Sequence, residues 1–175
     1  SVYPLLLVAV LYAGPIIQHV TSDEPWYANE RKDIIVRNYV VAPFAEEFVF
    51  RGCMVPLLLP SLGVMYTIGL CPLFFGIAHV HHLVEWAKRG EASLVAACVT
   101  ILFQVCYTSI YGMFSAFVLL RTGHLVSAIV THAFCNMMGF PDFGGVRTHS
   151  RPVLVGATYI SGLAGFFLLL IPLTE

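Results

Sequence analysis

The sequence predicts an all-α fold, a polytopic integral membrane bundle of about six transmembrane or intramembrane helices. Three observations carry this. Of 175 residues 58% are hydrophobic and 11% charged, with a mean hydropathy of +0.83, where soluble domains carry roughly 25% charge. Stretches free of Asp, Glu, Lys and Arg recur along the chain, each at least as long as the roughly 20 residues that a helix needs to cross the hydrocarbon core. No alternating strand pattern suggests a barrel, and backbone groups in lipid are otherwise satisfied only within helices.

The charge-free stretches are Ser1–Ser22, Gly52–Val84, Ala92–Leu120, Thr122–Pro141 and Pro152–Thr174. The first opens without an initiator Met and without a basic n-region, so it reads as a span rather than a signal peptide, and upstream sequence is expected. Asn38–Leu59 is a further span despite its three charges, Glu46, Glu47 and Arg51. Pro56, Pro60 and Gly63 mark the turn into the next helix, which runs to about His82. Charges gather in Asp23–Arg37, Glu85–Glu91 and Asp142–Arg151, which read as interfacial loops with Trp26, Tyr27 and Trp86 at aromatic belts. Acids accompany the basic residues in each, so the positive-inside rule does not orient the chain. Without internal repeats or low-complexity tracts, residues 1–175 read as a single membrane-embedded domain.

A net charge of −1 provides no basic patch for nucleic acid and no Lys/Arg cluster of the kind that reads anionic lipid. The five cysteines lie in apolar stretches without paired spacing, which argues against a disulfide framework or zinc knuckle and for buried thiols.

An ionised group at mid-bilayer costs about 2.5–3.5 kcal/mol even on insertion scales, so intramembrane charges are functional candidates. "VVAPFAEEFVFRG", Val40–Gly52, holds three. Glu47 and Arg51 are four apart and share a helix face, acid nearer the N-terminus, the favourable order for an ion pair. Glu46 projects about 100° away, with no basic residue in register. The two carboxylates therefore divide the work: Glu47 braces and Glu46 reacts as a general base.

"FFGIAHVHH" sets Phe75 and His79 on one face with His82 three further on, and His79 lies deeper in the apolar stretch than His81 or His82. His79 is the candidate reactive imidazole; Phe75 and His82 are candidate substrate contacts, although Phe74 and Phe75 also suit packing. In "THAFCNMMG", His132 and Asn136 share a face, and an imidazole with an amide can donate two hydrogen bonds to one oxygen, an oxyanion hole in outline. His19, His124 and His149 are expected to be packing residues.

These motifs carry a resemblance. "EEFVFR", "FGIAH" and "HAFCN" are similar, in that order, to the E-E-x-x-x-R, F-x-x-x-H and H-x-x-x-N signatures of the CAAX-protease and bacteriocin-processing membrane endopeptidases. The flanks from Asn38 to Pro141 resemble the eukaryotic, Ras-converting branch, the CAAX prenyl endopeptidases of the endoplasmic reticulum. The resemblance implies a multi-pass enzyme of that membrane that removes the last three residues from farnesylated or geranylgeranylated CAAX proteins such as Ras-type GTPases. It implies that Glu46 and His79 activate a water, that His132 and Asn136 stabilise the oxyanion, and that Glu47 and Arg51 support them, with no metal or other cofactor. Members of this family carry more membrane helices ahead of the first motif than the one span seen here, so upstream helices are expected.

Two rival readings have distinct signatures. A zinc-dependent membrane protease would use the same carboxylates and imidazoles, but H-E-x-x-H is absent, and a di-iron site lacks a second Glu-x-x-His element. A transporter or proton relay would string polar residues across several helices broken at mid-membrane, whereas here they fall into three compact motifs.

Overall fold

Long apolar stretches interrupted by short charged ones leave the backbone only its own carbonyls to bond with, and the chain is helical accordingly. A computed structural model of the protein describes residues 2–22, 31–78 and 94–174. In chain order the α-helices are α1 (Tyr3–Leu11), α2 (Ala13–Val20), α3 (Lys32–Val36), α4 (Ala42–Glu47), α5 (Val55–Ala78), α6 (Leu94–Thr122), α7 (Leu125–Met138), α8 (Gly145–Thr148) and α9 (Pro152–Leu169). No strand occurs among the described residues. The expected aromatic belts at Trp26, Tyr27 and Trp86 lie outside them.

Among the described residues three helical runs are long and apolar enough to cross a membrane: Lys32–Ala78, Val95–Thr122 and Pro152–Leu169. The pair α1 and α2, bent by 65°, is a fourth, and α7 is a shorter apolar helix. The first run has 47 residues, and at 1.5 Å per residue that is about twice the thickness of the hydrocarbon core. It breaks at Gly63, whose φ of 71° and ψ of 173° are open to glycine and strained for other residues. Among the described residues, counting its two parts separately and including the bent pair and α7 gives six, in line with the about six that the hydropathy pattern predicts. Pro60 stays inside α5, so of the three turn residues expected there only Gly63 interrupts the helix.

The charged segment before this run differs from expectation in its second half. Helix begins at Lys32, and exposed Arg31 forms a two-pronged ion pair with Asp33 at 3.1 and 2.9 Å across the first turn. Charge marks an interface here without excluding helix, because an acid in the first turn suits the helix dipole.

Two π-helical segments, Arg37–Val41 and Phe48–Met54, flank α4, so the Glu46–Glu47 pair sits between two stretches of widened helix. Such segments concentrate at functional sites.

The described residues form two compact units, Ser1–Ala45 with Arg121–Glu175 and Glu46–Leu120. In the first, α1 packs on α7 and α9, and Leu7, Val8, Ala128 and Val155 are buried. In the second, Val55, Cys71 and Ala116 form a core against Phe50, Met54, Leu58 and Ile68.

The surface is inverted relative to a water-soluble protein. Met65 is 81% exposed, and Phe44, Phe48, Leu57, Val99, Ile160 and Phe167 also face outward, while Glu47 and Arg51 are 0% exposed. Apolar side chains gain nothing by leaving lipid, whereas charges must find each other. The cysteines follow this rule rather than the expected burial: Cys71 and Cys135 are buried, but Cys53, Cys98 and Cys106 are exposed.

Candidate active site

Glu47 and Arg51 meet as their spacing requires, with Arg51 Nε 3.2 Å from Glu47 Oε2 and both side chains wholly buried. The same carboxylate oxygen accepts a 2.6 Å hydrogen bond from Ser115 Oγ of α6. The guanidinium lies over the Phe75 ring at 4.6 Å and near Tyr111 at 5.9 Å, within cation–π range. Phe75, 2% exposed, stacks edge-on against Phe50 at 5.0 Å. Gly112 admits the guanidinium, since a Cβ there would stand 2.9 Å from Arg51 Nη2 and 2.8 Å from Pro72 Cβ.

Among the described residues none of the three guanidinium nitrogens has an aligned hydrogen-bond acceptor, Nε included despite its ion-pair distance. Arg51 is therefore held by charge and by aromatic faces. Glu46, the last residue but one of α4, is partly exposed where Glu47 is closed in.

In the other unit, α7 carries both residues of the third motif. His132 is 5% exposed; Asn136, one turn on, is exposed, and its Nδ2 donates to the main-chain oxygen of Asn38 at 3.0 Å. An amide has two N–H groups, so this bond engages one of them. Tyr12 fixes the end of α7 from α1, by an edge-on contact of 5.8 Å with Phe134 and a 3.2 Å hydrogen bond from its hydroxyl to Gly139 O. Glu46 belongs to the second unit and the His132–Asn136 pair to the first. His79 and His82 lie outside the described residues.

Of the three histidines expected to pack, His19 and His149 are half-buried and His124 is exposed. His19 and His149 line a cavity of about 680 Å³ with Gln18, Asp142 and Tyr159 in the first unit, and His124 is an exposed cap before α7. His149 Nδ1 accepts from Arg151 N at 3.0 Å, which leaves Nε2 to donate to Gln18 O at 3.2 Å. Among the described residues none of the three motifs lines this cavity. Among the described residues no three His, Cys, Asp or Glu side chains are grouped as a metal site.

Sequence reasoning missed Ser115, Tyr111 and Gly112, and the main-chain oxygen of Asn38. A signal for the first set exists: Ser109, Gly112 and Ser115 recur every third residue along α6, a stripe of small residues that lets another helix approach.

Comparison with known proteins gives this geometry a context. The family model described as type II CAAX prenyl endopeptidase Rce1-like matches residues 33–138, which include all three motifs. The chain is 38% identical to CAAX prenyl protease 2 of Homo sapiens, over 100% of this chain and 57% of the human protein. It is 36% identical to the protein of that name from Arabidopsis thaliana, over 99% and 63% respectively. For the Saccharomyces cerevisiae protein the identity is 31%, over 92% and 56%. The chain thus spans little more than half the length of the curated relatives it matches. No solved structure matches it. With the family model covering more than half of its residues and all three motifs in order, the chain belongs to the type II CAAX prenyl endopeptidase Rce1-like family.

Proposed function

We propose that the protein is a membrane-embedded endopeptidase, a single protease domain, that removes the C-terminal tripeptide from farnesylated or geranylgeranylated CAAX proteins, Ras-type GTPases among them. The endoplasmic reticulum membrane is its place of work. The observation that carries this reading is family membership across all three motifs, together with a wholly buried Glu47–Arg51 pair beside a more accessible Glu46.

In this mechanism Glu46, with His79, takes a proton from water as its oxygen attacks the scissile carbonyl. His132 and Asn136 donate to the oxygen that becomes negative. The C–N bond then breaks, and the proton held by Glu46 passes to the leaving amine. Base catalysis contributes typically 10²–10⁴-fold and an oxyanion donor 10²–10³-fold. Glu47 and Arg51 keep the helix of Glu46 in place, and Phe75 and His82 belong to the substrate side of the second motif. A substrate whose prenyl chain lies in the bilayer reaches such a site laterally.

The test is incubation of the protein in membranes with a prenylated CAAX peptide, with and without a strong chelator, beside Glu46→Gln. The expected result is tripeptide release that survives chelation and is lost in the variant. Activity abolished by chelator and restored by zinc would replace this mechanism with a metalloprotease, and a fully active Glu46→Gln would remove Glu46 from the chemistry.

A further inference from the structure

We propose that Ser115 is a positioning residue for catalysis: its hydroxyl sets the direction of the Glu47 carboxylate and, through it, the rotation of the helix that presents Glu46. This rests on the assignment of Glu46 as the base.

The observations separate charge from direction. Arg51 stands 3.2 Å from Glu47 Oε2, but none of its nitrogens is aligned for a hydrogen bond among the described residues, so it attracts the carboxylate without fixing its angle. Ser115 Oγ donates to that same oxygen at 2.6 Å, within the range of charge-assisted O–H···O⁻ bonds. Both side chains are 0% exposed, so water does not compete.

The rotamer of Ser115 points the same way. Hydroxyls inside a helix usually fold back onto a carbonyl three or four residues earlier, and Thr100, Thr108, Thr131 and Thr158 do so here. Ser115 instead turns away from α6 to reach a residue 68 positions earlier in the chain.

Rotation about the helix axis is what needs fixing. Glu46 and Glu47 lie about 100° apart on a helix, so a turn of one is a turn of the other. The π-helical segment that starts at Phe48 changes the hydrogen-bond register immediately beyond them. An anchor from outside the helix supplies what that altered register does not.

The test compares Ser115→Ala, Ser115→Cys and Ser115→Thr with the parent in membranes, by kcat and KM on a prenylated CAAX peptide. Thermal unfolding of Ser115→Ala, Glu47→Gln and their double variant is measured in parallel. Ser115→Ala is expected to lower kcat at least tenfold with KM within twofold; Ser115→Cys, which keeps the shape and donates weakly, lies between. Ser115→Thr, which restores a hydroxyl, returns kcat to within about threefold. In unfolding, Ser115→Ala should matter much less once Glu47 is Gln.

A parent-like kcat in Ser115→Ala, or Thr and Ala variants equally slow, overturns the assignment, as do additive effects in the unfolding cycle. The cycle needs no activity, so it distinguishes two failures. If Glu46→Gln cleaves normally while Ser115 and Glu47 remain coupled, the proteolytic role of Glu46 falls and the contact stands; if Glu46→Gln is inactive and the coupling is absent, only the Ser115 assignment falls.

Discussion

The carboxylate cluster and the His132–Asn136 face handle polarity in opposite ways. Around Glu47 everything is closed: acid, guanidinium and serine hydroxyl are wholly buried, with Phe75 and Tyr111 against the cation. Of the motif pair on α7 only the imidazole of His132 is buried, while the amide of Asn136 is exposed and tied to a main-chain oxygen by one N–H. A buried charge pair is costly to disturb, because removing either partner strands the other. An exposed amide bonded to a carbonyl exchanges partners at small cost. The first arrangement suits support and the second suits contact with a substrate, which is how the residue roles divide in the proposed mechanism.

The contrast makes predictions that differ in kind as well as size. The largest concerns Glu46, which is more accessible than its neighbour. Glu46→Gln should lower peptide cleavage by roughly 10²–10⁴-fold, the usual share of a general base, with thermal unfolding unchanged. An unfolding midpoint that drops with activity would put Glu46 in the supporting cluster instead.

Next is Arg51→Ala, which leaves Glu47 charged and buried without compensation and should destabilise the protein by about 3–5 kcal/mol. Replacing both members, as Glu47→Gln with Arg51→Met, should cost far less than the single change, because no charge is stranded. Unfolding in detergent micelles measures both. A single variant as stable as the double would show that the pair is not a closed unit.

Asn136→Ala should reverse this pattern. Loss of an oxyanion donor lowers kcat by about 10²–10³-fold, whereas loss of one exposed hydrogen bond costs about 1 kcal/mol or less of stability. Equal destabilisation by Arg51→Ala and Asn136→Ala would erase the distinction between the two regions.

How much of this was legible in the sequence follows the range of each interaction. Glu47–Arg51 and the shared face of His132 and Asn136 are local, and helical spacing alone predicts them. The Gly63 break was legible because one residue type supplies that backbone angle. Ser115 was not, since its partner is 68 positions away and a serine among several hydroxyls in α6 looks like any other. The Asn38–Asn136 bond spans 98 positions and uses a main-chain oxygen, which has no side-chain signature. The π-helical segments escape for a related reason: no residue type encodes a wider turn. The charges of Lys32–Arg37 predict an interfacial loop, yet the segment is helical, because an acid in the first turn suits the helix dipole.

The smallest effect tests how tightly the closed region is packed. At Gly112 an added Cβ would meet Pro72 Cβ at 2.8 Å and Arg51 Nη2 at 2.9 Å. The guanidinium is the far end of a flexible chain and can shift, but Pro72 is fixed to the backbone of α5. Overpacking of this kind costs about 1–3 kcal/mol, and replacing a helical glycine by alanine returns about 1 kcal/mol, so Gly112→Ala should lose roughly 0–2 kcal/mol. Gly69→Ala is the control, because among the described residues nothing lies within 4 Å of a Cβ there and only the helix gain applies. The difference between the two unfolding midpoints isolates the cost of crowding Arg51. If Gly112→Ala is as stable as Gly69→Ala, the space around the guanidinium is looser than these distances require, and its aromatic faces and ion pair hold it without close packing by α6.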